Sequence, residues 1–268
     1  MAQLSVNGTT LYYEGKGQGP HMLFIHGMCG FAEVWSGQIE RLSGRFHCIT
    51  YDRRGHTRSP LGQIKQRTVE LHADDAAGLI RELAAVPCII VGSSGGARVG
   101  LDVVRRYPEL VAGAVLSEPP LLALVPDEAA AFIGQVRSAI DAAVAKGGPR
   151  AAVDAFFAIC CQGLWATLSE AQRNPYRDNH AELFGDLQMP SYQITREDLA
   201  RISRPCLIIS GSASPPVLRS IAGIVAGAIR GARHQELAGS GHVTYYERPA
   251  EFAAAVFSFA ESLGARSG

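Results

Sequence analysis

Cys88-Ile89-Ile90-Val91-Gly92-Ser93-Ser94-Gly95-Gly96 is a short apolar run that ends in a glycine–serine turn, and Ala97 to Tyr107 behind it is helix-patterned. The turn has the form G-x-S-x-G between a strand and a helix. A turn this tight admits only small flanking residues, and it lifts the Ser94 hydroxyl above the sheet toward the N-terminus of the next helix, where it can serve as a nucleophile. The same glycines could cradle a phosphate, but no lysine and no G-x-G-x-x-G pattern accompany them. Ser93 sits one residue short of the apex.

Outward from this turn, apolar runs of strand length recur: M-L-F-I (22–25), C-I-T-Y (48–51), C-I-I-V (88–91), A-V-L (114–116) and C-L-I-I (206–209). Helix-length segments such as Thr68 to Ala84 lie between them. Strands that are apolar on both faces and alternate with helices predict an α/β protein with a parallel sheet covered on both sides. Asn7-Gly8, between L-S-V and T-T-L-Y-Y-E, predicts a hairpin that adds an antiparallel edge. From Leu121 to about Arg204 the alternation stops and only helical patterning remains, with Phe132, Val136 and Ile140 four residues apart. We read 121–204 as a helical cap over the sheet edge where open α/β folds bind ligands, and 1–120 with 205–268 as the core. Extra core helices are the plainer alternative. The closing A-R-S-G (265–268) reads as frayed.

Composition narrows the function. The 268 residues carry 25 Lys plus Arg against 25 Asp plus Glu, so there is no basic excess for nucleic acid. With 47% hydrophobic and 19% charged residues, the chain is globular in type. Ile221 to Ile229 is about half the length of a membrane span, and the N-terminus shows no secretory pattern, so a cytoplasmic protein without membrane association is expected. Of six cysteines, Cys48, Cys88 and Cys206 lie in strand-like runs, Cys160 and Cys161 are adjacent, and Cys29 is in a loop. No C-x-x-C and no H-E-x-x-H occurs, so neither a metal nor a cofactor is implied.

A nucleophilic serine needs an oxyanion hole, a base and an acid. After the run 22–25 the loop His26-Gly27-Met28-Cys29-Gly30 places the Met28 N–H to pair with the Gly95 N–H as oxyanion donors. His26 itself reads as a packed ring that holds this loop. Late in the chain, Gly239-Ser240-Gly241-His242 offers a histidine on a glycine-flanked loop before the helix Pro249 to Leu263, and His242 is the expected base. His234 lies within a strand, and His56 lies in the turn Asp52-Arg53-Arg54-Gly55-His56, which reads as structural.

Together H-G-M-C-G, Y-D-R-R-G-H-T-R-S, V-G-S-S-G-G and G-S-G-H followed by E-R-P-A-E-F resemble the α/β-hydrolase superfamily across the chain outside the cap. The resemblance implies an eight-stranded, mostly parallel sheet with helices on both faces and a cap inserted after strand six. It also implies a triad acid on the loop after strand seven, but that loop reads Gly211-Ser212-Ala213-Ser214-Pro215-Pro216, and no acidic residue occurs between Asp198 and Glu236. Strand six instead ends in Leu116-Ser117-Glu118. Neighbouring strands lie about 4.8 Å apart, so Glu118 should stand beside Ser94, within reach of His242. Its alternative role is to cap the first cap helix. A serine–glutamate–histidine set with this acid position resembles the zearalenone-hydrolase-like lactonases, which open the ester of a large resorcylic ring.

The expectation is a cofactor-free serine hydrolase with Ser94, His242 and Glu118 as its triad. Its substrate, a small molecule, is a bulky hydrophobic ester or lactone cleaved through an acyl-enzyme, with zearalenone the first to try. Trp165, Phe132 and Phe156 are the candidate substrate-binding residues, Tyr176 a further one. Leu121, Leu122, Val125, Phe157 and Leu168 add apolar area to the cap. A carbon–carbon bond hydrolase of the same fold, or a non-catalytic ligand receptor, are the rivals. An epoxide hydrolase or haloalkane dehalogenase needs a carboxylate where Ser94 stands. Whether the chain is monomeric or a homodimer is left open by the sequence.

Overall fold

The computed structural model describes residues 2–161, 163–188 and 192–264, so the tail 265–268 lies outside the described residues. Its strands are β1 (Ala2–Val6), β2 (Thr9–Lys16), β3 (His21–Ile25), β4 (His47–Tyr51), β5 (Cys88–Ser93), β6 (Val111–Ser117), β7 (Cys206–Gly211) and β8 (Arg233–Leu237). They form one sheet in the order β1-β2-β4-β3-β5-β6-β7-β8. β1, β2 and β4 pair antiparallel, and every pairing from β4 through β8 is parallel. Asn7 and Gly8 both take positive φ, the twist that a two-residue hairpin needs.

The helices are α1 (Ser36–Leu42), α2 (Val69–Glu82), α3 (Gly95–Arg106), α4 (Pro126–Gly147), α5 (Pro149–Cys160), α6 (Gly163–Thr167), α7 (Glu170–Asp178), α8 (His180–Gln188), α9 (Arg196–Ala200), α10 (Pro216–Ala228), α11 (Thr244–Glu247) and α12 (Pro249–Gly264). The three expected core helices, here α2, α3 and α12, start and stop within two residues of their patterns. α2 begins where the Thr68 hydroxyl accepts the Leu71 N–H at 3.2 Å. α3 starts at Gly95, before the apolar pattern does, because Ser94 is its N-cap.

Side-chain alternation splits the central strands between two cores. Met22, Phe24, Ile89, Val91, Leu207 and Ile209 pack with Trp35, Phe252 and Phe259 on the α1–α12 face. Leu23, Ile25, Cys88, Ile90, Cys206 and Ile208 pack on the opposite face with side chains of α2, α3 and α10. This is why the runs read as continuously apolar. A buried Arg54–Asp75 ion pair at 2.7 Å, with no water access at either end, fixes the turn after β4 to α2.

Between β6 and β7 the described residues hold helices and no strand. Leu121 and Val125, counted above with the cap's apolar surplus, are instead buried in the α2–α3–α10 core. They follow β6 closely and have not yet left the sheet. Farther along, Val136, Val153, Phe157, Trp165 and Leu183 form a third cluster, joined by Cys29 from the loop after β3. The buried Asn179 side chain ties this layer down by donating to the Cys29 and Gly30 carbonyls at 3.0 and 2.9 Å. Among the described residues, no helix is long and apolar enough to cross a membrane.

Candidate active site

Ser94 stands at the end of β5 with φ 53° and ψ −122°, a conformation an L-residue adopts at a cost of about 1–3 kcal/mol. The glycines around it make that turn possible. A Cβ on Gly92 would lie 2.5 Å from the Gly96 carbonyl oxygen, and one on Gly96 would lie 2.0 Å from that of Ile25. Both contacts are with backbone, so neither position accepts alanine without moving the chain.

Strand register brings the acid alongside. Ser93 pairs with Ser117, and Ser117 with Ile209, so Ser94 and Glu118 leave adjacent strands at the same level. The Ser94 N–H donates to the Ser117 carbonyl, and the Glu118 N–H to that of Ile209, both at 2.9 Å. Glu118 also has positive φ, 51°, and its side chain is fully buried. His242 closes the chain of contacts: its Nε2 lies 2.9 Å from Ser94 Oγ and its Nδ1 2.9 Å from Glu118 Oε2. A carboxylate facing Nδ1 calls for the proton there, which leaves Nε2 to accept from the serine hydroxyl.

A buried carboxylate needs donors, and two residues supply them where the acid usually stands. The Gly211 N–H donates to Glu118 Oε1 at 2.8 Å, and the Ser214 hydroxyl donates to Oε2. The loop after β7 is therefore not vacant: its serine holds the displaced acid. Capping of a cap helix by Glu118, the alternative considered above, does not occur, since α4 begins eight residues later with Val125 as its N-cap. The His242 loop is clasped by Glu247, which accepts from the Gly241 and Val243 N–H groups at 2.7 and 3.1 Å. It can approach β7 because a Cβ on Gly211 would sit 2.3 Å from the Ser240 and Gly241 carbonyls.

A hydrogen-bond network stands behind the two expected oxyanion donors. The Gly27 carbonyl lies 2.9 Å from His26 Nδ1 and receives the Arg53 guanidinium at 3.1 Å. His26 Nε2 accepts the Arg53 N–H at 2.9 Å, so the ring proton is on Nδ1 and points at Gly27. Peptide planarity then directs the Met28 N–H, on the opposite side of that same peptide, away from these donors and toward Ser94. Gly95 opens α3, so its N–H has no intrahelical acceptor. The Met28 nitrogen lies 3.5 Å from where a Gly95 Cβ would be. Burial, reinforced by the Arg53 charge, holds His26 and His56 well below their ordinary pKa, so both stay neutral.

Two cavities meet at Ser94 and His242. One is lined by Phe156 and Trp165, and by Tyr176. Phe132 lines the other, with Phe156 shared between them. His234 is remote from both and bonds Ser210 at 2.9 Å. Burial pushes the Cys160 thiol up to about 12, so this cavity-lining cysteine stays a neutral thiol and no rival nucleophile. Of the further residues at this site, Arg53 and Glu247 lie in motifs quoted above and Gly211 and Ser214 in the quoted loop after β7, while no motif marks Asn179. Arg53, Gly211, Ser214 and Asn179 work through contacts that join distant segments, which no local pattern reveals, whereas Glu247 clasps its own loop.

A sequence profile of the alpha/beta hydrolase family matches residues 22–255. This chain belongs to that family. An uncharacterized hydrolase, YraK, of Bacillus subtilis (strain 168) is 41% identical over 123 residues, 46% of this chain and 45% of that protein. A 2-(acetamidomethylene)succinate hydrolase of Mesorhizobium japonicum is 40% identical over 113 residues, 42% of this chain and 40% of that protein. The chain thus spans less than half the length of these curated relatives. Among solved structures, a hydrolase from Pseudomonas aeruginosa PA01 superposes with a TM-score of 0.81 at 24% identity, covering 96% of this chain and 97% of that one, which supports the fold.

Proposed function

We propose that this member of the family is a cofactor-free serine hydrolase of apolar, uncharged esters or lactones. The observation that carries the reading is the unbroken contact from Ser94 Oγ through His242 to Glu118, at 2.9 Å for each step. Ser94 attacks the carbonyl as its proton passes to His242 Nε2. Glu118 stabilises the imidazolium, and the Met28 and Gly95 N–H groups receive the oxyanion. His242 then protonates the departing alcohol oxygen as the carbon–oxygen bond breaks, leaving an acyl group on Ser94. Water, deprotonated by His242, releases the acid and restores the serine.

The segment 121–204 would roof the site, and its Phe132, Phe156 and Trp165 would meet the substrate. The acid position argues for comparison with zearalenone-type lactonases, and the apolar walls suit a bulky neutral ester, whatever its connectivity, better than a short or anionic one. A carbon–carbon hydrolase would use the same three residues on a diketone. Mixing the protein with an activated ester, quenching in acid within milliseconds and weighing the intact chain is the test. A mass gain equal to the acyl group, lost in Ser94→Ala, is expected. Ester turnover with no such adduct on Ser94 would refute the acyl-enzyme route. Turnover of diketones alone would move the reading to the carbon–carbon hydrolase.

A further inference from the structure

The two cavities at Ser94 differ in chemistry and in direction. The first is walled by rings: Phe157 and Trp165 stack at 4.5 Å with 14° between their planes, and Tyr176 meets both edge-on. Tyr245 and Tyr246 complete it. The second is walled mainly by Leu122, Ile133, Val136, Leu183, Leu187 and Leu218, with Phe132 beside them and Arg98 the one charged side chain along it among the described residues. Met28, Phe156 and Cys160 belong to both walls and stand between the two spaces. The aromatic chamber leans toward the α1–α12 face, where Tyr245 packs on Trp35 at 4.3 Å. The aliphatic chamber leans toward α3 and α10, which cover the other face.

We infer that the substrates are open-chain esters of an aromatic alcohol with a medium-length alkanoic acid, the aryl group in the first chamber and the alkyl chain in the second. This deepens the hydrolase reading and rests on it. Rings stack face or edge against the Phe157–Trp165–Tyr176 wall, whereas the second chamber has no such stacked set and offers a chain mostly branched aliphatic contacts beside Phe132 and Phe156. The assignment of acid and alcohol follows from the order of the reaction. The alcohol must leave while the acyl group is still bonded to Ser94. The leaving alcohol therefore has to exit past a chain still held in place, and the aromatic chamber gives it a route to the surface, by which the acid can follow after deacylation. This chamber shares Val34, Leu168, Tyr176, Tyr245 and Tyr246 with a surface groove of about 1020 Å³. Tyr246, at that mouth, is 49% exposed. A macrocyclic lactone fits poorly, because its two arms are joined and cannot diverge around the Met28–Phe156–Cys160 partition.

The test is a matched ester panel with purified full-length protein, each kcat/KM divided by that ester's own rate of alkaline hydrolysis. Phenyl octanoate should exceed phenyl acetate, gaining about threefold to fourfold per methylene until the chamber fills. It should also exceed octyl benzoate, which reverses the two groups, by at least about tenfold, and exceed trifluoroethyl octanoate, which has no ring. Ile133→Trp, filling the aliphatic chamber, should cut the octanoate-to-acetate ratio about tenfold, and Ile133→Phe should cut it less. Leu164 also lines the aromatic chamber, and Leu164→Trp should instead cut the preference for phenyl over trifluoroethyl. A flat chain-length series, a preference for octyl benzoate, or zearalenone opened faster than phenyl octanoate would overturn the assignment while the hydrolase stands. Failure to cleave phenyl acetate, together with failure of a phosphonate to label Ser94, would overturn both.

Discussion

Replacing Glu118 by glutamine separates the charge of this residue from its shape. The carboxylate accepts from Gly211 at Oε1, and from Ser214 and His242 at Oε2. A glutamine placed in the same rotamer would turn its amide oxygen to His242 and Ser214, where two donors converge, and its NH2 to Gly211. One donor–donor contact results, costing about 1–3 kcal/mol of stability. Folding should survive this, because removing a fully buried charge offsets part of the loss. Catalysis should not survive, since the amide cannot balance the imidazolium. The expected fall in kcat is on the order of 10⁴, about 5 kcal/mol of transition-state stabilisation. Ester hydrolysis by purified variant and parent, with melting curves for both, measures the two effects separately. Adding Ser214→Asp to Glu118→Gln should recover about tenfold or more, because the Ser214 hydroxyl already touches the oxygen that faces His242. A Glu118→Gln enzyme within tenfold of the parent would remove Glu118 from the mechanism.

Arg53→Met should lower kcat by roughly ten- to a hundredfold with KM little changed, because one of the donors aiming the Gly27–Met28 peptide is lost; an unchanged kcat would separate Arg53 from the oxyanion hole. Gly96→Ala should yield no soluble folded protein, since its Cβ would strike the Ile25 carbonyl; a normal melting curve would contradict that packing. His26, His56 and His72 are held well below their ordinary value of 6.5, first by burial and then by the Arg53 charge. Below about pH 6.5 the unfolded chain takes up protons that these rings refuse. Stability should therefore be full above that pH and fall below it by up to about 1.4 kcal/mol per unit for each histidine. Urea midpoints at pH 7.5 and 5.5 check this, and equal midpoints would refute it.

How much of this was legible in the sequence differs from residue to residue. Strands such as Cys88–Ser93 announce themselves because both faces are buried, and Ser94 is visible because its turn tolerates almost nothing but glycine around it. His242 stands out by its glycine-flanked loop. Glu118 could be placed beside Ser94 by strand adjacency alone, but its partners could not. Ser214 lies 96 positions along the chain from Glu118, and no local pattern signals that its hydroxyl replaces the usual acid with a donor. Arg53 read as part of a structural turn, and its hold on Gly27 emerges only when β3 and β4 are side by side. The segment 121–204 was the least legible. Its helical period shows which side chains are apolar, yet not that Leu121 and Val125 turn into the main core while Phe132 and Trp165 face different cavities.

Labelling with a fluorophosphonate, followed by digestion and mass mapping, tests the central claim most directly, because the reagent bonds a serine only where a base and an oxyanion hole act on it together. One adduct per chain on the peptide that carries Ser94 is expected, absent from Ser94→Ala and slowed in parallel with kcat in Glu118→Gln. A folded parent protein that takes no label, or takes it at a serine other than Ser94, would contradict the account.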